Sequence, residues 1–239
     1  MTRPRTFLTA DWRNLLMLNY AVHPSLLARF VPSGTELDSF DRKTYLSLVG
    51  FEFNRTSLAG IPVPFHQQFE EVNLRFYVRR LSKRGVVFIR ELVPKRAVAA
   101  VARWAFNENY VHVLMSHQIA YRPDGAVASA EYAWGSGRDR CVARIETDGA
   151  GYLAPEGSVS QFITEHYWGY AAQKDGGCLE YEVQHPQWQV WNAKHAEFSG
   201  NPARLYGAEF AEILRRPPDS AFLAQGSAVT VFKGQGIAT

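Results

Sequence analysis

Residues 71–79 alternate without a break: Val72, Leu74, Phe76 and Val78 share one face, and Glu71, Asn73, Arg75, Tyr77 and Arg79 share the other. A period of two sends successive side chains to opposite sides of an extended chain, so this is a strand whose faces meet different surroundings. Ser82-Lys83-Arg84-Gly85 turns the chain, and residues 86–93 return as a nearly continuous apolar run that still holds Arg90 and Glu91. A charge in apolar surroundings is costly unless it is paired or wet. The two strands therefore enclose either a polar site or an internal salt-bridged network.

The rest of the chain supplies mostly short strands. Pro94 ends the second strand, and a helix over residues 96–106 carries Val98, Val101, Ala102 and Ala105 on one stripe that faces a sheet. Residues 44–53 are apolar on both faces, as in a strand covered on both sides. Further strands are expected at 15–20, 127–134, 140–146, 179–185, 188–193 and 228–233. Turns or loops are expected at 11–14 and 54–66, and helices at 24–30, 158–172 and 201–214. Residues 112–121 fit either loop or strand. This order predicts a mainly β, α+β fold: a single domain over residues 1–239, barrel-like, with a mixed or antiparallel sheet and a few flanking helices. Fifteen Phe, 11 Tyr and 6 Trp suffice for a substantial core.

Several function classes drop out. The net charge of +3 is spread along the chain except at Arg79, Arg80, Lys83 and Arg84, too narrow a patch for nucleic acid. Cys141 and Cys178 are isolated, so neither a disulfide framework nor a zinc site is indicated, and no metal or other cofactor is expected. Asp11 and Arg13 interrupt the first apolar residues before a signal-peptide core forms, and no apolar run is long enough for a membrane helix. A cytoplasmic protein without membrane insertion is the expectation. The stripe on the 96–106 helix or an exposed sheet edge allows a homo-oligomer.

A set of motifs then converges on one family. Trp12 and Tyr20, Val31-Pro32 with Glu36-Leu37-Asp38, Val49-Gly50-Phe51, the alternating 69–78 strand, Thr164-Glu165 with Tyr167, His185-Pro186 with Trp188, and Ser220 through Ser227 resemble the YqjF-like domain of unknown function 2071. That family is grouped with acetoacetate decarboxylases, so the resemblance implies a β-rich barrel around an internal cavity. Acetoacetate decarboxylases form a Schiff base on a lysine in a Gly-Phe-Pro-Lys-Lys run, and Leu92-Val93-Pro94-Lys95-Arg96 looks like that element. The resemblance puts Lys95 on the nucleophile, Arg96 on the second lysine and Glu71 on the acid. Leu92, Val93 and Arg96 depart from the motif.

Two readings of function follow. In one, the protein is a Schiff-base-type decarboxylase or lyase acting on a small keto acid, with Lys95 as nucleophile, Glu71 as acid or base and Arg75 as carboxylate anchor. Asn73, Glu91, Arg96, Glu165, His185 and Trp188 then contribute to substrate binding. In the other, the cavity holds a small apolar or amphipathic ligand unchanged. His166 pairs with no carboxylate at helical spacing and reads as a core histidine.

Overall fold

The computed structural model describes residues 5–237, with the side chains of Ala102, Arg103, Trp104 and Phe106 outside the described set. The first strand, β1 (Thr6–Val22), runs through the expected turn at 11–14. That segment is a bulge: Asn14 has φ 56° and the register to the next long strand slips between Arg13 and Leu16. Asparagine visits this left-handed region more readily than most residues, and here its Nδ2 donates to Glu52 and to the Tyr121 hydroxyl. After α1 (Pro24–Leu27) and β2 (Glu36–Leu37) comes β3 (Thr44–Leu58), which extends past the expected loop and pairs back with β4 (Ile61–Pro62).

The hairpin of β5 (Phe69–Arg80) and β6 (Lys83–Val93) leads through Pro94 into α2 (Arg96–Phe106). Of the stripe expected on α2, Val98 is half-buried and Val101 exposed, while Ala102 lies outside the described residues, as does Arg103. Next come β7 (Tyr110–His112) and β8 (Met115–Tyr121), so the ambiguous stretch is strand. With β9 (Val127–Trp134) and β10 (Cys141–Thr147), β8 makes the expected antiparallel meander.

After the short β11 (Tyr152–Leu153), the helix expected over 158–172 divides into α3 (Val159–Thr164) and β12 (Trp168–Ala172). Ser158 caps α3 by accepting from the Gln161 amide, and Glu165 leaves helical geometry at φ −100°, ψ 64°. Then follow β13 (Cys178–Gln184) and β14 (Gln189–Gly200). The single helix expected over 201–214 is broken into α4 (Ala203–Tyr206) and α5 (Ala208–Arg215) by Gly207, whose φ of 98° suits only glycine. The chain ends with β15 (Ser220–Phe232), longer than expected, and β16 (Gln235–Ile237).

Among the described residues sixteen strands join one sheet, and part of it closes on itself. β13, β12, β6, β5, β3, β1 and β15 pair in succession, and Val183 and Gln184 of β13 pair with Val231 and Thr230 of β15 to complete the ring. The β12–β6 and β6–β7 pairs are parallel and the other neighbours in the ring antiparallel, which gives the mixed, barrel-like sheet. Leu46, Leu48, Leu74 and Phe76 point out of the ring and pack with Tyr132, Trp134 and the α5 residues Phe210 and Leu214. Val49, Phe51, Phe53, Phe69 and Tyr77 point inward with Met17 and Phe162. Both faces of β3 and β5 are therefore covered, as their apolar content requires. No helix among the described residues is long and apolar enough to cross a membrane.

Candidate functional site

The ring encloses a cavity of about 170 Å³, below the roughly 300–1,000 Å³ of drug-sized pockets, which suits a small ligand. Its wall is aromatic: Trp12, Phe51, Phe53, Phe69, Phe88 and Trp188. Phe53 and Phe69 stack at 4.6 Å between centroids, and Trp12 meets Phe51 edge-on at 5.3 Å. Val63 and His66 of the β4–β5 connection and Ala97, Val98 and Val101 of α2 complete the lining.

Polar groups enter this apolar chamber from five places. Glu71, Asn73 and Arg75 come from alternate positions of β5. Glu91 comes from β6, directly across from Asn73. A bulge sets that alignment: Leu74 pairs with Arg90 and Arg75 with Phe88, so the extra residue, Ile89, shifts the alternation and lets both Phe88 and Glu91 face inward. Arg90 points the other way and donates to Asn109 at 2.9 Å. Glu108 and Tyr110 follow α2, Tyr181 stands on β13, and His166 follows α3.

These groups partly satisfy one another. Asn73 Nδ2 donates to Glu71 Oε1 at 2.9 Å and the Tyr110 hydroxyl to Glu71 Oε2 at 3.2 Å. The Tyr181 hydroxyl donates to Glu108. Arg75 Nη2 donates to the Ile163 carbonyl at 3.3 Å, yet among the described residues no carboxylate lies within ion-pair distance of its guanidinium. Five buried polar atoms on the cavity have no partner among the described residues: Trp12 Nε1, Arg75 Nε, Asn73 Oδ1, Glu91 Oε2 and Thr56 Oγ1; the same holds for both ring nitrogens of His166. Buried polar groups are rarely left unmatched, so such a cluster points to a ligand.

Burial controls the titration of the site. It pushes the Glu71 carboxyl up to about 7 against the hydrogen bonds from Asn73 and Tyr110, and Glu108 up to about 7 against that from Tyr181. Glu91 is raised well above the ordinary range by burial and then by the neighbouring Glu108 and Glu71 charges. A hydrogen bond between Glu91 and Glu108 favours the proton on Glu91. The His166 imidazole is lowered well below its usual value by burial and by Arg75, so it stays neutral.

Of the residues the sequence singles out, Glu71, Asn73, Arg75, Glu91, His185 and Trp188 line the cavity, and Lys95, Arg96 and Glu165 do not. Lys95 is half-buried at the β6–α2 junction and Arg96 is exposed. Glu165 accepts from Gln161 and Gln187. His185 stacks on Trp188 at 4.1 Å, and Trp188 Nε1 donates to Ser227. His166, read from the sequence as a core residue, is buried but borders the cavity. Glu108, Tyr110 and Tyr181 were not legible as site residues. Tyr181 lies on an apolar strand face, where its hydroxyl needs a partner, and that was the available signal. Glu108 sits in a segment that reads only as a helix end.

A model of uncharacterised conserved proteins, DUF2071, matches residues 9–228. The chain belongs to the DUF2071 family. A relative, the uncharacterised protein YqjF of Bacillus subtilis (strain 168), is 27% identical over 191 residues, covering 80% of this chain and 77% of that one. The acetoacetate decarboxylase of Legionella pneumophila superposes with a TM-score of 0.71 at 11% identity, over 97% of this chain and 87% of its own. The enduracididine biosynthesis enzyme MppR, solved with pyruvate, gives 0.71 at 14% identity, over 100% of this chain and 92% of its own. The DUF2071 chain thus has the acetoacetate decarboxylase-like fold.

Proposed function

We propose that the cavity binds a small oxo acid and carries out lyase-type proton transfer at the carbon beside its carbonyl group. One observation carries this reading: a single face of β5 presents a buried guanidinium that has no carboxylate partner among the described residues, and a carboxyl whose pKa lies near 7. A buried cation without a counter-ion is costly, and a substrate carboxylate in a forked contact with Arg75 removes that cost. A group that titrates near 7 both takes and returns protons at neutral pH, which is the property a general acid–base residue needs. Glu71 therefore exchanges the proton on carbon. In decarboxylation of a 3-oxo acid the carbon–carbon bond breaks, its electrons move to the carbonyl oxygen, carbon dioxide leaves, and the Glu71 carboxyl protonates the carbon. Neutral His166 has one ring N–H, which is free to donate to that carbonyl oxygen. The structural neighbours support the class, since one is an acetoacetate decarboxylase and another was solved with pyruvate.

The second reading keeps Lys95 as a Schiff-base nucleophile. It is favoured by the position of Lys95 between two lining residues, Glu91 and Ala97. The deciding experiment follows carbon–hydrogen exchange of pyruvate and 2-oxopentanoate in deuterium oxide, and carbon dioxide release from acetoacetate, with borohydride trapping alongside. Proton transfer by the carboxyl predicts exchange without a trapped adduct. It also predicts a loss in Glu71→Gln of about a hundredfold or more in kcat, and in Arg75→Met a rise mainly in KM. A borohydride adduct on Lys95, lost in Lys95→Ala, transfers the chemistry to the lysine. Tight binding without exchange or carbon dioxide release means a binding protein.

A further inference from the structure

The proposed reading uses Arg75, Glu71 and His166, and leaves without a role the facing pair Asn73 and Glu91, which stands between Glu71 and Arg75 along β5. There Asn73 and Glu91 face each other across the β5–β6 pair, both 1% exposed, and each offers an unmatched oxygen to the cavity. The Asn73 amide is oriented by its own bond: Nδ2 is committed to Glu71, so Oδ1 faces away as an acceptor. Glu108 stands beside Glu91. Among the described residues the cavity thus carries the carboxyl groups Glu71, Glu91 and Glu108 against the guanidinium of Arg75, within walls of aromatic faces that attract cations.

We infer that this pair seats a protonated nitrogen of the ligand, so that the substrate is an oxo acid that also carries an ammonium or guanidinium group. The inference rests on the oxo-acid reading for the anionic end only. Spacing supports it: Asn73 and Arg75 are two residues apart on one strand, about 6.5 Å at the usual rise. That is the reach of a chain of about five carbons between carboxylate and amine. Among the described residues no group of three His, Cys, Asp or Glu side chains is placed to hold a metal ion.

Binding of such a cation has a proton signature. Burial and the charges of Glu108 and Glu71 favour the protonated form of Glu91. Around them stand Glu71 and Arg75 from β5, Tyr110 beyond α2, Tyr181 from β13 and His166 beyond α3. An ammonium group accepted by Glu91 favours its ionised form, and the displaced proton goes to solvent. Affinity for a cation therefore rises with pH through the range in which these carboxyls titrate.

The test is calorimetry on the full chain with pentanoate, 5-hydroxypentanoate and 5-aminopentanoate. These share a carboxylate and differ in whether the far end offers nothing, an uncharged donor or a cation. The expected result is that 5-aminopentanoate binds about tenfold or more tighter than either of the others, as for a charge-assisted hydrogen bond. Its affinity should rise between about pH 6 and about pH 8, with proton release seen in buffers of different ionisation enthalpy, while that of pentanoate falls. Glu91→Gln should abolish the preference and leave pentanoate binding in place. Should that variant fail to fold, the pH profile of the unaltered protein decides. Equal binding of all three, or of the hydroxyl and amine probes, overturns the cation seat and leaves the oxo-acid reading standing. Pentylamine is titrated as a fourth probe, and its binding without any binding of pentanoate keeps the seat and removes the carboxylate anchor. Absence of binding by every probe removes both.

Discussion

A methyl group on Gly169 would lie 2.1 Å from Cζ of Tyr181, so this glycine is what lets the ring lie flat against β12 and bring its hydroxyl to Glu108. Gly169→Ala must move the ring, while Tyr181→Phe removes only the hydroxyl. Both are expected to weaken ligand binding in the cavity, but only the alanine variant should also lose packing stability, by about 1–3 kcal/mol as for other overpacked cores. Thermal unfolding of the two variants side by side checks this, and equal stability would show that the ring has room to move. The residue scale also shows where sequence reasoning ends. Glu71, Asn73 and Arg75 are legible because one strand presents them at a period of two. Glu108 and Tyr181 reach the same cavity from elements more than seventy residues apart, and no local pattern records such a meeting. Lys95 shows the converse. Its motif position is plain in the sequence, but which way its side chain points depends on how Pro94 joins β6 to α2.

The same division holds for elements. The β5–β6 hairpin, the double-faced β3 and the 127–146 meander follow from periodicity, because a strand covered on one or both faces writes that coverage into its apolar positions. The failures occur where a single residue changes the local rule. Gly207 splits one apparent helix, Glu165 ends another early, and Asn14 turns an apparent turn into a bulge. The bulge carries a prediction. Asn14 is 8% exposed, has φ 56°, and holds Glu52 of β3 and Tyr121 of β8 through one amide. Asn14→Leu adds left-handed strain to the loss of both bonds, at a cost of about 2–3 kcal/mol. In a chain of this size that lowers Tm by about 5–10 °C. Asn14→Gly loses the bonds without the strain and should fall in between. If leucine proves no worse than glycine, the backbone at this position is not what fixes β1.

At the scale of the whole molecule the buried ionisable groups shape stability against pH. Glu71 and Glu108 have folded values of about 7 against an ordinary 4.5, and Glu91 is raised in the same direction, so across that interval the native state holds protons that the unfolded chain has released. Their contribution is fully present below about pH 4.5 and is lost as pH rises through 7. His166 and His185 act in the opposite sense: both are lowered from 6.5, so the unfolded chain binds protons that the native state refuses once pH falls below that value. Between 4.5 and 6.5 the two sets oppose each other, and above 6.5 only the carboxyls remain. The unliganded protein is therefore expected to lose stability from about pH 6.5 to about pH 8, by no more than about 1.4 kcal/mol per pH unit for each group that titrates. Denaturant unfolding at a series of pH values measures the slope, and Glu71→Gln should flatten it by the share of one group. A cationic ligand in the cavity reverses the argument, since it favours the ionised carboxyls, and its stabilisation must grow over the same interval. A protein whose stability is level from pH 6.5 to 8, with and without 5-aminopentanoate, would not have its carboxyl groups buried in the cavity as the fold places them.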